Sequence, residues 1–133
     1  MKFHYIFTLL ILLTAVGFSR VMGQTAEQVV TEAGEGLLKG EVDMLTKYFD
    51  EHVEINMMGD RKVHSKAQAQ YVITRFFAEY DPSTFQMRQL GETNGGYFAY
   101  GDLECSRGLV TVNIYVRMTA QNYRINEIRF EPK

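Results

Sequence analysis

The chain has 133 residues, 14 of them basic and 16 acidic, so its net charge at neutral pH is −2. This balance, with the basic residues scattered along the sequence, excludes the electrostatic footprint of a nucleic-acid-binding protein. A single cysteine, Cys105, excludes a disulfide within one chain, so packing has to stabilise the fold.

The N-terminus has the organisation of an export signal. Lys2 precedes a nearly uninterrupted apolar run from Tyr5 to Phe18, which is shorter than the roughly 20 residues of a membrane-spanning helix. Val21-Met22-Gly23 then offers side chains that a signal peptidase accepts. We expect a signal peptide over residues 1–23 and one exported domain over residues 24–133, periplasmic or extracellular, with no stable membrane anchor. An uncleaved anchor is the alternative, because Arg20 lies close to the cut.

The first helix of the exported part is predicted from a capping box and a helical period. Thr25 and Gln28 have the spacing of a capping box, and apolar residues recur on one face up to Leu38. Gly34 and Gly36 weaken this helix unless they allow a close packing contact or a break. Gly40 is a natural left-handed stop, so the helix is predicted over residues 25–39.

A second helix, a short hairpin and a third helix follow. The apolar spacing predicts a helix over residues 41–49, a strand over residues 52–58 and a brief return strand over residues 62–64. Ser65 and Gln68 form another capping box, and the apolar positions behind it recur at helical spacing as far as Tyr80.

Four strands separated by turn signals complete the chain. They are predicted over residues 85–93, 97–106, 109–119 and 123–131. In the third of them, one parity is apolar and faces the core: Val110, Val112, Ile114, Val116 and Met118. In the last strand Ile125 and Ile128 have opposite parity, which predicts a β-bulge near Asn126-Glu127.

Helices first and long antiparallel strands afterwards predict an α+β fold, with N-terminal helices packed on a curved antiparallel sheet that wraps around the third helix. This order resembles the nuclear transport factor two-like (cystatin-like) superfamily of cone-shaped domains, which includes ketosteroid isomerases and polyketide cyclases. The chain is most similar to an uncharacterised family of exported bacterial domains of this superfamily. The resemblance rests on Leu38-Lys39-Gly40, Leu45, Tyr48-Phe49, Val53-Glu54, Ser65-Lys66-Ala67-Gln68-Ala69 and Phe76-Phe77.

The resemblance provides a test for isomerase chemistry. It implies a general-base carboxylate at the end of the strand after the second helix, but the matching positions are Ile55, Asn56 and Met57. Proton abstraction next to a carbonyl then has no base, so we predict no catalytic residues. His52 and His64 do not supply the convergent ligands of a zinc site, and we predict no metal and no cofactor.

Two kinds of binding site remain. A cone cavity that accepts a small apolar ligand is predicted to be lined by Tyr48, Ile55, Met57, Phe76 and Met118. The outer face of the sheet is predicted to carry an interface formed by Phe98, Tyr100, Tyr115 and Arg117. The leading hypothesis is a non-catalytic exported domain that binds an envelope protein or a second copy of itself. An apolar-ligand binder is the alternative, followed by an isomerase-like or cyclase-like enzyme.

The signal-peptide hypothesis makes a direct prediction. The exported protein begins at Gln24 and is released from the membrane, because cleavage after Gly23 removes the whole apolar run. Intact-mass spectrometry of the exported protein measures this. A membrane-retained product that still contains residues 1–23 would contradict the prediction.

Overall fold

The structure, a computed structural model, describes residues 24–120 and 122–133. The predicted signal peptide and its cleavage site at residues 21–23 lie outside the described residues. In the part that is described, no helix has the length and apolarity needed to cross a membrane. The elements are α1 (Ala26–Lys39), α2 (Val42–Thr46), β1 (Phe49–Met57), β2 (Asp60–Ser65), α3 (Lys66–Tyr80), β3 (Pro82–Thr93), β4 (Gly96–Cys105), β5 (Gly108–Met118) and β6 (Tyr123–Pro132).

Both predicted capping boxes are confirmed, and they start the two long helices. The Thr25 hydroxyl accepts from the backbone N–H of Gln28 at 3.1 Å, and the Gln28 side chain accepts from the backbone N–H of Thr25 at 3.1 Å. Ser65 and Gln68 make the same reciprocal pair at the start of α3. Gly40 ends α1 in the left-handed conformation with φ of 63°, as predicted.

The second helix is shorter than predicted, because the last residues of the predicted helix pair with β6 in the sheet. The backbone N–H of Ile125 in β6 donates to the carbonyl of Tyr48 at 2.7 Å. The next residue, Phe49, begins β1 opposite Ile125 and is 2% exposed. A helix over residues 41–49 would take these groups away from β6, so α2 ends at Thr46.

One six-stranded sheet contains all the strands, in the order β2-β1-β6-β5-β4-β3. Its neighbouring strands are antiparallel, as expected, except for β1 and β6, which are parallel. This parallel pair joins the β1–β2 hairpin to the β3–β6 meander.

The predicted bulge in β6 is confirmed by the strand register. Tyr115 of β5 lies opposite Glu127, whereas the next residue, Val116, lies opposite Ile125. Asn126 is therefore the extra residue, and Ile125 and Ile128 are both fully buried on the same face. A second irregularity, not predicted, leaves Arg88 of β3 without a partner residue in β4.

The helices divide the inner face of the sheet between them. Helix α1 packs on β3 to β6, whereas α3 packs on β1 and β2. The ring of Phe76 in α3 reaches Phe130 on β6, with 4.5 Å between ring centroids. The sheet therefore does not wrap around α3 alone, because α1 occupies much of the same face.

The predicted parity of β5 is confirmed over most of the strand. Four of the five apolar residues are buried, namely Val110, Val112, Ile114 and Val116. Met118 is the exception with 54% exposure, because it is the last residue of the strand and lies past the helix-covered core.

Two glycines of α1 mark close contacts, which explains their presence in a helix. A Cβ at Gly36 would lie 2.7 Å from the backbone nitrogen of Leu45 in α2. A Cβ at Gly34 would lie 3.2 Å from the ring of Phe85, a side chain that can move.

These contacts predict unequal effects of two matched substitutions. Gly36→Ala lowers the free energy of unfolding by about 1–3 kcal/mol, because the α2 backbone has to shift. Gly34→Ala changes it by less than about 1 kcal/mol, since the higher helix propensity of alanine offsets a small displacement of Phe85. Chemical denaturation of both variants measures this. Equal stabilisation by the two alanines would contradict the close approach of α1 and α2.

Cys105 ends β4 and packs against the core while remaining half-buried. Burial and the nearby Asp81 carboxylate raise the pKa of the thiol. Each unit of increase lowers the thiolate fraction at neutral pH about tenfold. We therefore expect iodoacetamide to label the native protein several-fold more slowly than the urea-unfolded protein. Equal rates, or a disulfide-linked dimer on a non-reducing gel, would contradict this.

Candidate functional site

The face of the sheet opposite the helices carries three aromatic side chains on the neighbouring strands β4 and β5. Phe98 of β4 lies directly opposite Tyr115 of β5, and Tyr100 is the next outward residue of β4, opposite Asn113. Arg117 lies two positions after Tyr115 on the same face. The structure therefore brings the four predicted interface residues together on one surface, and their role as an interface stays a prediction. We call Phe98, Tyr100 and Tyr115 the aromatic cluster.

Neighbouring strands hold the aromatic cluster in place. Phe98 leans over Gly91 of β3, where a Cβ would come within 2.8 Å of its ring. The Arg129 guanidinium lies 4.9 Å from the centroid of the Tyr115 ring and donates to Glu127 at 2.6 Å. The three aromatic residues are half-buried as a result. Aromatic side chains have few rotatable bonds, so they lose little conformational entropy on binding.

Ion pairs flank this cluster. Arg117 donates to Asp50 at 2.7 Å. Burial tends to raise the pKa of Asp50, but hydrogen bonds from Arg117 and the Glu51 backbone outweigh it, so that pKa is lowered. Asp102 accepts from Lys133 and Arg88 at 2.7 and 2.9 Å, and these bonds lower its pKa. The Asp102 carboxylate is therefore held by two ion pairs at this edge of the cluster.

A pocket of about 340 Å³ opens on the other side of the sheet, where the β1–β2 hairpin meets α3. We call it the hairpin pocket. Its apolar lining comprises Ile55, Met57, Met58, Val72, Phe76 and Tyr80. Its polar lining comprises Asp60, Lys62, His64, Tyr71, Arg75 and Glu79.

Three of the five predicted cavity residues, Ile55, Met57 and Phe76, line the hairpin pocket. Tyr48 does not line it, because its side chain is buried and its hydroxyl donates to Glu32. Met118 lies at the far end of β5 and is also absent from the lining. The prediction that these residues bind a ligand stays a prediction for the three that meet here.

The polar side of the pocket was missed, although a signal for it exists in the sequence. Lys62 and His64 share one parity of β2, so they face the same side of the hairpin. Tyr71 and Arg75 are four residues apart and lie one above the other on α3. Neither pattern indicates on its own that strand and helix meet, because that depends on how the hairpin folds over α3.

The position that the family resemblance assigns to a general base holds no carboxylate. Ile55 is 1% exposed in the core, Met57 lines the hairpin pocket, and Asn56 accepts from the backbone N–H of Gly59. A carboxylate and a tyrosine do meet at Glu32 and Tyr48, where the hydrogen bond lowers the pKa of Glu32. The Glu32 side chain is 43% exposed, so this pair lies at the surface rather than in a cavity.

The described residues contain no group of three or more His, Cys, Asp or Glu side chains arranged to hold a metal ion. Charged side chains that lie close together form ion pairs instead, for example Lys62 with Asp60 at 3.3 Å. The outer face and the hairpin pocket present aromatic, apolar and guanidinium groups.

Comparison with known proteins identifies the fold. The chain is similar to the crystal structure of a DUF4783 family protein from Bacteroides ovatus, with 22% identity and a TM-score of 0.74 over 77% of this chain and 93% of that chain. It is also similar to an NTF2-like (nuclear transport factor two-like) protein of unknown function from Cytophaga hutchinsonii, with 9% identity and a TM-score of 0.62 over 83% and 91% of the two chains.

A third similar structure is an uncharacterized cystatin fold protein from Novosphingobium aromaticivorans, with 10% identity and a TM-score of 0.62 over 81% of this chain and 98% of that chain. No curated protein matches the chain. The family described as Domain of unknown function (DUF4783) matches residues 30–131. The chain therefore belongs to the DUF4783 family and has the NTF2-like fold that its sequence resemblance predicted.

Proposed function

We propose that this protein is a non-catalytic exported domain that pairs with a second copy of itself through the outer face of its sheet. The observation that carries the proposal is the aromatic cluster on β4 and β5, on a surface that no described helix covers. Aromatic residues and arginine are the side chains enriched at the energetic centres of protein interfaces.

The size of the outer face supports a second copy as the occupant. Strands spaced about 4.8 Å apart, with a rise of about 3.3 Å per residue, give six strands of this length a face of roughly 800 Å². A stable interface of standard size buries about 800 Å² on each partner. The sheet therefore offers enough area for a dimer without a contribution from the helices.

The charges of the outer face are complementary to a second copy. At one end of the cluster lie Arg117 and Arg124, with the carboxylate of Asp50 paired to Arg117. At the other end lie the exposed Glu104 and Glu131 on β4 and β6, beside Asp102 and its partners Arg88 and Lys133. These three carboxylates and two cations leave this end with a net charge of −1. A twofold axis that lies in the interface and runs across the strands sets the basic end of each copy against the acidic end of the other.

The proposal predicts that the wild type is a dimer and that aromatic substitutions dissociate it. The double variant Tyr100→Lys, Tyr115→Glu raises the dimer Kd at least about tenfold, because it places charges where two clusters stack. Sedimentation over a range of concentrations measures this. The matched control is Tyr71→Lys, which changes an exposed tyrosine on the helix side and leaves the dimer intact. A wild type that stays monomeric at the highest concentration would overturn the proposal.

A charge exchange tests the orientation of the two copies. Arg124→Glu weakens the dimer, because the basic end of one copy then repels the acidic end of the other. Adding Glu131→Arg to the same chain restores attraction and recovers affinity. If the second change does not recover affinity, the basic end of one copy does not lie against the acidic end of the other. The role of the aromatic cluster is tested separately by the tyrosine variants.

A second candidate function, binding of a small apolar ligand, is favoured by the hairpin pocket. Its volume of about 340 Å³ lies at the lower end of the about 300–1,000 Å³ that is typical of small-molecule sites. Ile55 and Phe76 give it a buried apolar floor, with exposures of 1% and 3%. The pocket lies on the helix side of the sheet, so dimerisation through the outer face leaves it open.

A further inference from the structure

The hairpin pocket contains a charged side chain that has no oppositely charged partner among the described residues. Of its two carboxylates, Asp60 is paired with Lys62 at 3.3 Å, and Glu79 accepts from Arg107 at 2.7 Å. Arg75 has no carboxylate partner among residues 24–120 and 122–133. Its guanidinium lies instead 5.9 Å from the centroid of the Tyr71 ring. The pocket therefore contains one positive charge that no described carboxylate neutralises.

The groups around Arg75 suit an anion with an apolar body. A guanidinium presents a planar set of donors that matches the two oxygens of a carboxylate. The apolar floor formed by Ile55, Met57 and Phe76 lies in the same pocket and would take a short chain or a single ring. A wholly apolar ligand would leave the guanidinium without an anionic partner. A purely polar ligand would leave the apolar side chains of the pocket exposed to water.

A strained residue is a second, independent observation at this pocket. Met58 and Gly59 form the β1–β2 turn with φ of 53° and 92°, a conformation in which the first position favours asparagine or glycine. A methionine with positive φ costs free energy, because its Cβ crowds the backbone. The Met58 side chain lines the hairpin pocket and also an adjoining cleft that contains Tyr80 and Arg107.

We propose that the hairpin pocket binds a small amphiphilic carboxylate, whose anionic group pairs with Arg75 and whose apolar part rests on Ile55, Met57 and Phe76. Met58 covers the apolar part, and this contact accounts for a methionine where the backbone favours asparagine. The inference rests on the second proposed function, ligand binding in this pocket, and adds the chemical class of the ligand.

The test compares matched probes on the purified protein by isotope-edited NMR titration. Phenylacetate and hexanoate carry the anion, and phenylacetamide and hexanamide are their neutral counterparts. We expect the carboxylates to bind at least about tenfold more tightly and to shift the amide resonances of β2 and α3. Equal affinity of each carboxylate and its amide would overturn the proposed ligand class while leaving ligand binding in place. Binding of none of the four would overturn both.

Two variants assign the roles of the residues. Arg75→Gln removes the preference for carboxylates and leaves amide affinity unchanged. The matched control Arg61→Gln makes the same charge change at a residue outside the pocket lining and leaves the preference intact. Met58→Asn raises the midpoint of thermal unfolding and weakens all four probes. A preference that survives Arg75→Gln, or unchanged affinities in Met58→Asn, would overturn the assigned contacts.

Discussion

Helices α1 and α3 both pack on the same face of the sheet, and this one-sided burial determines both candidate sites. The parallel pair of β1 and β6 joins the strands under α3 to the strands under α1. The one-sided burial requires the bulge at Asn126, which turns both Ile125 and Ile128 inwards. With the inner face committed to the core, the aromatic cluster is directed to the other side.

The same burial limits what the interior of the cone can do. Large side chains such as Phe49, Phe130 and Leu37 fill it and are at most 2% exposed. The hairpin pocket therefore lies at the edge of the core, between the β1–β2 hairpin and α3. The carboxylates near that pocket, Asp60 and Glu79, are held in ion pairs with Lys62 and Arg107.

Local signals predicted the elements that depend on local chemistry. The capping boxes at Thr25 and Ser65 and the alternation in β5 each describe contacts within a few residues, so they could be interpreted from the sequence. The parallel pairing of β1 with β6 could not, because it joins segments about seventy residues apart and adds no local pattern. The length of α2 was misjudged for the same reason, since β6 recruits Tyr48 and Phe49 into the sheet.

The two candidate sites also differ in how far local sequence patterns predict them. The alternation of β4 and β5 was sufficient to predict which residues share the outer face, because parity alone determines it. The position of Arg75 beside an apolar floor depends on tertiary packing, so sequence patterns did not predict it. Where the pattern and the structure disagree, as at Met118, the residue lies at a strand end past the core.

The central claim, that a second copy covers the outer face, is tested most directly by isotope-filtered NOE spectroscopy. The sample is an equal mixture of labelled and unlabelled protein, so the spectrum reports contacts between copies alone. The account predicts contacts from the rings of Phe98 and Tyr115 of one copy to outer-face residues of the other. Contacts between copies that involve the helices alone, or none at millimolar concentration, would contradict it.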